Sequence, residues 1–240
     1  MEKTIKIPLK NSKNIYGILR GDLSSPLIIF VHGFTGHKNE HQFFNAARFF
    51  EDKGFSTFRF DLYGWEEDAR KLEDCTLSLH GQDLDRVVDF FRKEGVEKLF
   101  VVGHSFGGVT VLLSKKKDFD AMVLWEASDN PSKVTKSKYV TELDKYYVTA
   151  EASYGFTIGK EMFEETQTLN PRDLIKKINK PSLVVVAGNG ELVDGGKKFF
   201  KNANEPKKFV VIPNATHCFD EDGAEENLFQ ETLAWFNKFV

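Results

Sequence analysis

The sequence has few cysteines, no long apolar run and no excess of positive charge. Its 240 residues contain two cysteines, Cys75 and Cys218, too few for a disulfide framework and not spaced as a metal-binding pair. This usage is typical of a reducing compartment. No stretch approaches the roughly 20 apolar residues of a membrane span, and the N-terminal segment lacks the apolar core of a signal peptide. We therefore expect a cytoplasmic protein without membrane association.

Charge and length narrow the class further. The formal net charge is -3, and lysines alternate with acidic residues instead of forming a basic stripe, so nucleic acid is not an expected partner. A chain of this length with 41% hydrophobic residues can form one large core but not two. We expect a single domain over residues 1–240 and a small-molecule partner. A homodimer is left open.

Apolar runs typical of buried strands alternate with segments of helical periodicity. A hairpin is predicted over Thr4–Pro8 and Ile15–Leu19. Further strands are predicted at Leu27–Val31, Phe55–Phe60, Leu99–Val102, Ala121–Trp125, Leu183–Ala187 and Phe209–Ile212. Helices are predicted around Phe43–Lys53, Leu84–Phe91, Val109–Leu113 and Leu228–Phe239. This alternation predicts an α/β fold with a mostly parallel sheet of about eight strands and helices on both faces.

The alternation stops between residues 130 and 170. This segment follows a strand whose end should face the site. Aromatic side chains are scattered in it among charged and small residues, namely Tyr139, Tyr146, Tyr147, Tyr154, Phe156 and Phe163. One interpretation is a lid that offers aromatic surface to a substrate. The other is that these rings only pack the insertion onto the body of the protein.

The pentapeptide Gly-His-Ser-Phe-Gly at 103–107 lies between a predicted strand and a predicted helix. Such a strand–turn–helix holds a serine at the tip of a sharp turn, and flanking glycines avoid collisions with neighbouring backbone. The competing interpretation is a glycine-rich turn with an incidental serine. Because strand, helix and catalytic partners all accompany the motif, we predict that Ser105 is a nucleophile.

A serine nucleophile needs a base, and His217 is the best candidate because it follows the last predicted strand. His37 and His41 are four residues apart, a spacing seen at metal sites, but no nearby carboxylate or thiol in the sequence supports a metal there. We therefore expect no metal. His80 is expected at the surface or in a loop.

The acid that would orient the base should follow the strand 183–187. Glu191 is the favoured residue and Asp194 the second choice, both within the loop 188–194. Glu126, after the preceding strand, is third.

An acyl-transfer reaction also needs donors for the oxyanion. The backbone N–H groups of Phe34 and Phe106 are predicted to supply them. Gly33, His104 and Trp125 are the candidate substrate-binding residues, although the His104 ring is expected to point away from the serine. Stacking by tryptophan or by the tyrosines of 130–170 would suit a flat acyl group.

Four motifs carry a family resemblance: His-Gly-Phe-Thr-Gly-His at 32–37, Asp-Leu-Tyr-Gly at 61–64, Gly-His-Ser-Phe-Gly-Gly at 103–108 and Thr-His-Cys-Phe-Asp at 216–220. Together they resemble the α/β-hydrolase superfamily, and within it the small bacterial cinnamoyl (feruloyl) esterases and related carboxylesterases. The resemblance implies ester hydrolysis through an acyl-enzyme, an inserted lid that shapes the acyl pocket, and no cofactor. It gives Ser105 and His217 the roles of nucleophile and base.

The sequence departs from that family in two places. Residues 65–68 read Trp-Glu-Glu-Asp where the family has His-Gly-x-Ser, and Glu191 stands where the family has aspartate, in a loop about one residue short. Two alternatives to a serine carboxylesterase therefore stay open. One is an aminopeptidase, thioesterase or C–C bond hydrolase with the same triad. The other is a hydrolase-fold binding protein with a weakened acid position.

Overall fold

A computed structural model describes residues 1–9, 12–133, 137–149 and 155–240. The strands of its main sheet are β1 Glu2–Pro8, β2 Asn14–Arg20, β3 Leu27–Val31, β4 Ser56–Phe60, β5 Leu99–His104, β6 Ala121–Trp125, β10 Ser182–Ala187 and β11 Lys207–Ile212. These eight strands lie in the order β1-β2-β4-β3-β5-β6-β10-β11. The pairings of β1 with β2 and of β2 with β4 are antiparallel, and all the others in this sheet are parallel. The predicted α/β sheet is confirmed.

Helices cover both faces of the sheet. Their bounds are α1 His41–Asp52, α2 Leu77–Lys93, α3 Phe106–Leu113, α4 Lys160–Thr168, α5 Pro171–Leu174, α6 Val193–Asn202 and α7 Ala224–Phe236. Side chains of α1 and α7 form the core on one face, and those of α2, α3 and α6 form the core on the other. In the part of the chain that is described, no helix combines the length and apolarity needed to cross a membrane.

The helix α2 begins earlier than its apolar spacing predicts. Buried side chains at Leu84, Val87, Val88 and Phe91 give the expected stripe. The helix already starts at Leu77, however, because the Thr76 hydroxyl accepts a hydrogen bond from the backbone N–H of Leu79, 3.0 Å away. The cap, rather than the apolar pattern, sets this boundary.

The register of the parallel strands places the loops that carry the predicted site residues at one edge of the sheet. In the parallel pairings Val31 lies opposite Gly103 and His104 lies opposite Trp125. Because parallel strands end at the same edge, the segments that begin at His32 and Ser105 leave the sheet side by side. The loops after β10 and β11 leave at this edge too.

The segment 130–170 contains a second, three-stranded antiparallel sheet, which the sequence did not suggest. Its strands are β7 Ser137–Val140, β8 Lys145–Thr149 and β9 Gly155–Ile158, followed by α4. Among the described apolar side chains of this segment, Val148, Ile158 and Met162 are fully buried. They join the cluster around Phe106 and Val109, so the insertion packs on the helix that follows Ser105.

Candidate active site

Ser105 occupies a strained turn between β5 and α3. Its backbone angles are φ 54° and ψ -119°, a region that non-glycine residues rarely adopt. The Ser105 N–H donates to the carbonyl oxygen of Trp125 at 3.0 Å, and its own carbonyl accepts from Gly108 at 3.1 Å and from Ser128 at 3.2 Å. These main-chain bonds hold the strained conformation and leave the side chain partly accessible.

Close backbone packing explains both glycines of the motif. A Cβ on Gly107 would lie 2.1 Å from the carbonyl oxygen of Val31, and one on Gly103 would lie 2.4 Å from the carbonyl oxygen of Gly107. Neither contact can be relieved by a side-chain movement, since the opposing atoms belong to the main chain. The turn therefore requires glycine on both sides of the serine.

The loop after β3 lies directly against the serine. A Cβ on Gly33 would be 3.0 Å from Cβ of Ser105. The Gly33 carbonyl accepts from Gly36 N–H at 3.2 Å and lies 2.8 Å from Nδ1 of His32. Because Leu62 N–H donates to Nε2 of His32 at 3.0 Å, the ring proton is on Nδ1 and donates to Gly33.

These bonds orient the peptide that precedes Phe34. In a trans peptide the N–H points opposite to the carbonyl, so the Phe34 N–H is directed away from the two donors that hold Gly33. Burial lowers the pKa of His32 to about 4, which keeps the ring neutral and the tautomer constant at physiological pH. Phe34 stays the predicted second oxyanion donor.

Phe106 is the first residue of α3, so its N–H has no carbonyl partner within the helix. The helix dipole adds a partial positive charge at this end. The Phe34 and Phe106 rings pack 5.3 Å apart, which joins the two segments that carry the predicted donors. The arrangement can receive negative charge that develops next to Ser105.

His217 follows β11 and is brought beside the serine turn through His104. The two imidazole rings are 4.8 Å apart, and Nε2 of His104 lies 2.9 Å from the carbonyl oxygen of His217. His217 is half-buried. Two of the predicted catalytic residues, Ser105 and His217, therefore lie on adjoining loops at one edge of the sheet.

Two predicted substrate contacts are wrong. Trp125 is fully buried, stacks on Phe43 at 6.4 Å and donates its indole N–H to the Thr232 hydroxyl at 2.9 Å, so it belongs to the core. His104 is 4% exposed and both of its ring nitrogens contact protein atoms. A substrate can reach neither ring. The His104 ring lies instead against the ring of His217, with the ring centroids 4.8 Å apart.

The predicted acid loop rests on Glu126. This side chain is fully buried at the end of β6, and its Oε2 accepts the Ala187 N–H at 2.5 Å. Glu126 thus holds the start of the loop that contains Glu191 through Ala187. Burial raises the pKa of Glu126 to about 7. A Cβ on Gly190 would be 2.6 Å from its Oε1, which explains that glycine.

The two favoured acid candidates differ in their surroundings. Asp194 lies in the first turn of α6, 82% exposed, and forms an ion pair with Lys197 at 3.1 Å. Glu191 is exposed on the loop itself. The Asn189 N–H donates to the Ala215 carbonyl at 2.9 Å, which ties this loop to the one that carries His217. Glu191 stays the predicted acid and Asp194 the second choice.

A cavity of about 530 Å³ lies beside the loop after β3, here called the oxyanion loop because it carries the predicted donor Phe34. Its walls come from residues 35–39, from the loop after β4 and from β9, with Trp65 and Phe156 among the lining side chains. The Trp65 indole is 95% exposed. Ser105 and His217 are not among the lining residues, so this cavity adjoins the catalytic edge without containing it.

The aromatic residues of the insertion divide between two environments. Tyr146 and Phe163 stack at 3.8 Å, and Tyr146 also contacts Tyr139 at 5.2 Å. Tyr139 and Tyr147 are 38% and 41% exposed. Tyr154 lies outside the described residues. Packing thus accounts for part of the aromatic content.

Two histidine predictions are corrected. His80 is 3% exposed within α2, not at the surface. Nε2 of His41 lies 2.6 Å from Asp220 and 3.3 Å from Glu225, carboxylates that are distant in sequence and were missed. Across the ranges that the structure describes, no group of three or more histidine, cysteine or acidic residues is arranged to hold a metal ion.

Comparison with known proteins supports the assignment of the fold. The family model described as "Serine aminopeptidase, S33" matches residues 24–134. Solved structures of high similarity include esterases and a dienelactone hydrolase. The fold is that of the α/β-hydrolase superfamily, and the predicted resemblance is confirmed.

The most informative relatives can be named. Est1E of Butyrivibrio proteoclasticus, solved with ferulic acid bound, is 24% identical with a TM-score of 0.81, over 97% of this chain and 99% of that one. The esterase domain of a Rhodothermus marinus protein is 21% identical with a TM-score of 0.79, over 100% and 99%. An uncharacterized 31.7 kDa Escherichia coli protein from the traX-finO intergenic region is 23% identical over 94% of this chain and 95% of its own length.

Proposed function

We propose that the protein is a serine hydrolase that cleaves carboxylic esters of small or aromatic acids. The observation that carries the proposal is the strained Ser105 turn, with φ 54°, pressed against Gly33 and the oxyanion loop. A strained nucleophile that is held by main-chain bonds is typical of acyl-transfer sites. One neighbour named as an esterase domain and another, Est1E, solved with ferulic acid bound, support this substrate class.

The reaction follows from the roles of these groups. Ser105 Oγ attacks the ester carbonyl carbon while His217 accepts the hydroxyl proton. The Phe34 and Phe106 N–H groups bind the tetrahedral oxyanion. Collapse of this intermediate breaks the ester C–O bond, and His217 protonates the departing alcohol. His217 then takes a proton from a water molecule, whose oxygen attacks the acyl carbonyl carbon. Collapse of this second intermediate breaks the bond to Ser105 Oγ, which receives the proton from His217, and the acid is released.

The test compares 4-nitrophenyl acetate and methyl ferulate as substrates of the wild type, Ser105→Ala and the remote control Ser24→Ala. We expect Ser105→Ala to lower kcat by at least about 10⁴-fold on both esters, because the nucleophile is lost. Ser24 lies on an exposed turn, and its variant should match the wild type. Full activity of Ser105→Ala would contradict the proposal. The ratio of kcat/KM for the two esters measures the preference for aromatic acids.

An aminopeptidase is the second candidate, favoured by the description of the matching family model. Aminoacyl 4-nitroanilides distinguish it from an esterase, since their scissile bond is an amide and their amino group is free. Hydrolysis of anilides at rates comparable with ester hydrolysis would move the proposal to a peptidase.

Covalent labelling distinguishes a catalyst from a hydrolase-fold binding protein that has no activity. A fluorophosphonate reacts with a serine that has both a base and an oxyanion hole. Stoichiometric labelling of Ser105 supports a catalyst, and no labelling with a folded protein supports the binding role.

A further inference from the structure

His104 makes two hydrogen bonds that the catalytic scheme does not use. It is the last residue of β5, next to Ser105, and is 4% exposed. Its Nδ1 is 3.0 Å from the side-chain nitrogen of Gln42, and its Nε2 is 2.9 Å from the carbonyl oxygen of His217. Gln42 lies in the first turn of α1 and is 1% exposed.

The chemistry of these partners determines one tautomer. A carbonyl oxygen only accepts, so Nε2 of His104 must carry the proton that faces His217. Nδ1 is then an acceptor, and the amide group of Gln42 donates to it. Burial, and after it the charge of the neighbouring His217, lower the pKa of His104 to about 3. The ring is therefore neutral wherever the enzyme would work.

The Nε2–H of His104 donates to the main-chain carbonyl of His217, the residue that is the proposed base. A shift of that carbonyl would carry the His217 ring with it, because the two share one residue. Displacements of about 1 Å in a catalytic group can lower the rate about 100-fold. The contact thus links α1, β5 and the loop after β11 at the point where accuracy matters most.

We propose that His104 is a positioning residue that holds His217 beside Ser105, and that Gln42 keeps His104 in the required tautomer. This inference rests on the proposed role of His217 as the base. It assigns no contact with substrate to either residue. The relay runs from the Gln42 amide through the His104 imidazole to the His217 carbonyl.

The test uses two amides that differ by one methylene. The side-chain nitrogen of His104→Gln can take the position of Nε2 and donate to the His217 carbonyl, whereas His104→Asn is too short. We expect His104→Asn to lower kcat on 4-nitrophenyl acetate about 10- to 100-fold with KM changed less than about 2-fold. His104→Gln should retain activity within about 5-fold.

Two further readouts separate positioning from stability. The rate of fluorophosphonate labelling of Ser105 should follow kcat across the variants, while the thermal unfolding temperatures of His104→Asn and His104→Gln should agree. The proposal is overturned if His104→Asn keeps the wild-type kcat, or if both variants lose activity equally.

Gln42→Met provides a test that leaves His104 in place if its variants fail to fold. This substitution keeps the volume and removes the amide donor, so Nδ1 loses its partner and the alternative tautomer becomes accessible. We expect a kcat reduced about 3- to 10-fold with KM unchanged. An unchanged kcat would contradict the role assigned to Gln42. Ser105→Ala separately tests the proposed function, since that variant leaves this relay intact.

Discussion

Ser105 and Glu191 stand on loops of the same sheet edge but are supported in different ways. The serine turn is held by main-chain bonds to Trp125, Gly108 and Ser128 and by backbone packing that excludes a Cβ on either side. Glu191 is exposed, and its loop is held both by a main-chain bond from Asn189 N–H to the Ala215 carbonyl and by one buried side chain, Glu126. A serine turn supported by backbone alone tolerates changes of side chain around it, whereas the loop of Glu191 also depends on the protonation and identity of a buried carboxyl group.

The largest effect should come from Gly107→Ala. Its Cβ would meet the carbonyl oxygens of Val31 and His32 at 2.1 and 2.7 Å, so the turn must open or the strand must move. We expect loss of activity and destabilisation by about 3 kcal/mol or more, measured by denaturant unfolding. The control is Gly54→Ala, where no atom lies within 4 Å and only the positive φ of 85° is unfavourable. Its cost should stay near 1–2 kcal/mol.

Removing the charge of each candidate acid in turn tests which of the two orients His217. Glu191→Gln should lower kcat by about 10²- to 10⁴-fold, because an unoriented imidazole is a poor base. Asp194→Asn should change kcat less than about 2-fold, since that carboxylate is exposed and paired with Lys197. Steady-state kinetics and unfolding curves of both proteins decide the assignment. The reverse pattern would transfer the role to Asp194.

The pH dependence of the unfolding free energy, compared between the wild type and Glu126→Gln, should show how stability depends on the protonation of Glu126. The pKa of Glu126 is raised from 4.5 to about 7 in the folded state, so folding binds a proton between these values. Its contribution to stability is therefore fully present below pH 4.5 and is lost as pH rises through 7. Relative to Glu126→Gln, the wild type should lose about 3 kcal/mol of unfolding free energy between pH 4.5 and 8. Parallel stability curves for the two proteins would contradict this.

Local signals predicted the fold well. The strand over 121–125 appears with the predicted bounds, and the elbow, the hairpin and the helix stripes were visible as apolar periodicity or as glycines around Ser105. The strands β7, β8 and β9 were missed because they are four or five residues long and half-exposed. Short polar strands of this kind become recognisable only through their pairing.

Long-range contacts account for the errors at the site. Trp125 was assigned to the pocket because an aromatic residue at the end of a strand fits either environment, and only its contacts with the distant residues Phe43 and Thr232 put it in the core. The buried role of Glu126 was missed since carboxylates are rarely buried, and nothing local announces its partners 61 residues away. The contact between Gln42 and His104 spans 62 residues and leaves no local pattern.

The insertion also affects the order in which the chain can fold. Strands β6 and β10 are hydrogen-bonded neighbours, with Met122 opposite Ser182, although the whole insertion separates them in sequence. Closing so long a loop costs conformational entropy before any pairing is gained. The meander β7-β8-β9 pairs segments that are close in sequence and can form early. Once formed, this meander shortens the flexible chain between β6 and β10. The segment that packs on α3 therefore also assists the pairing of these two strands.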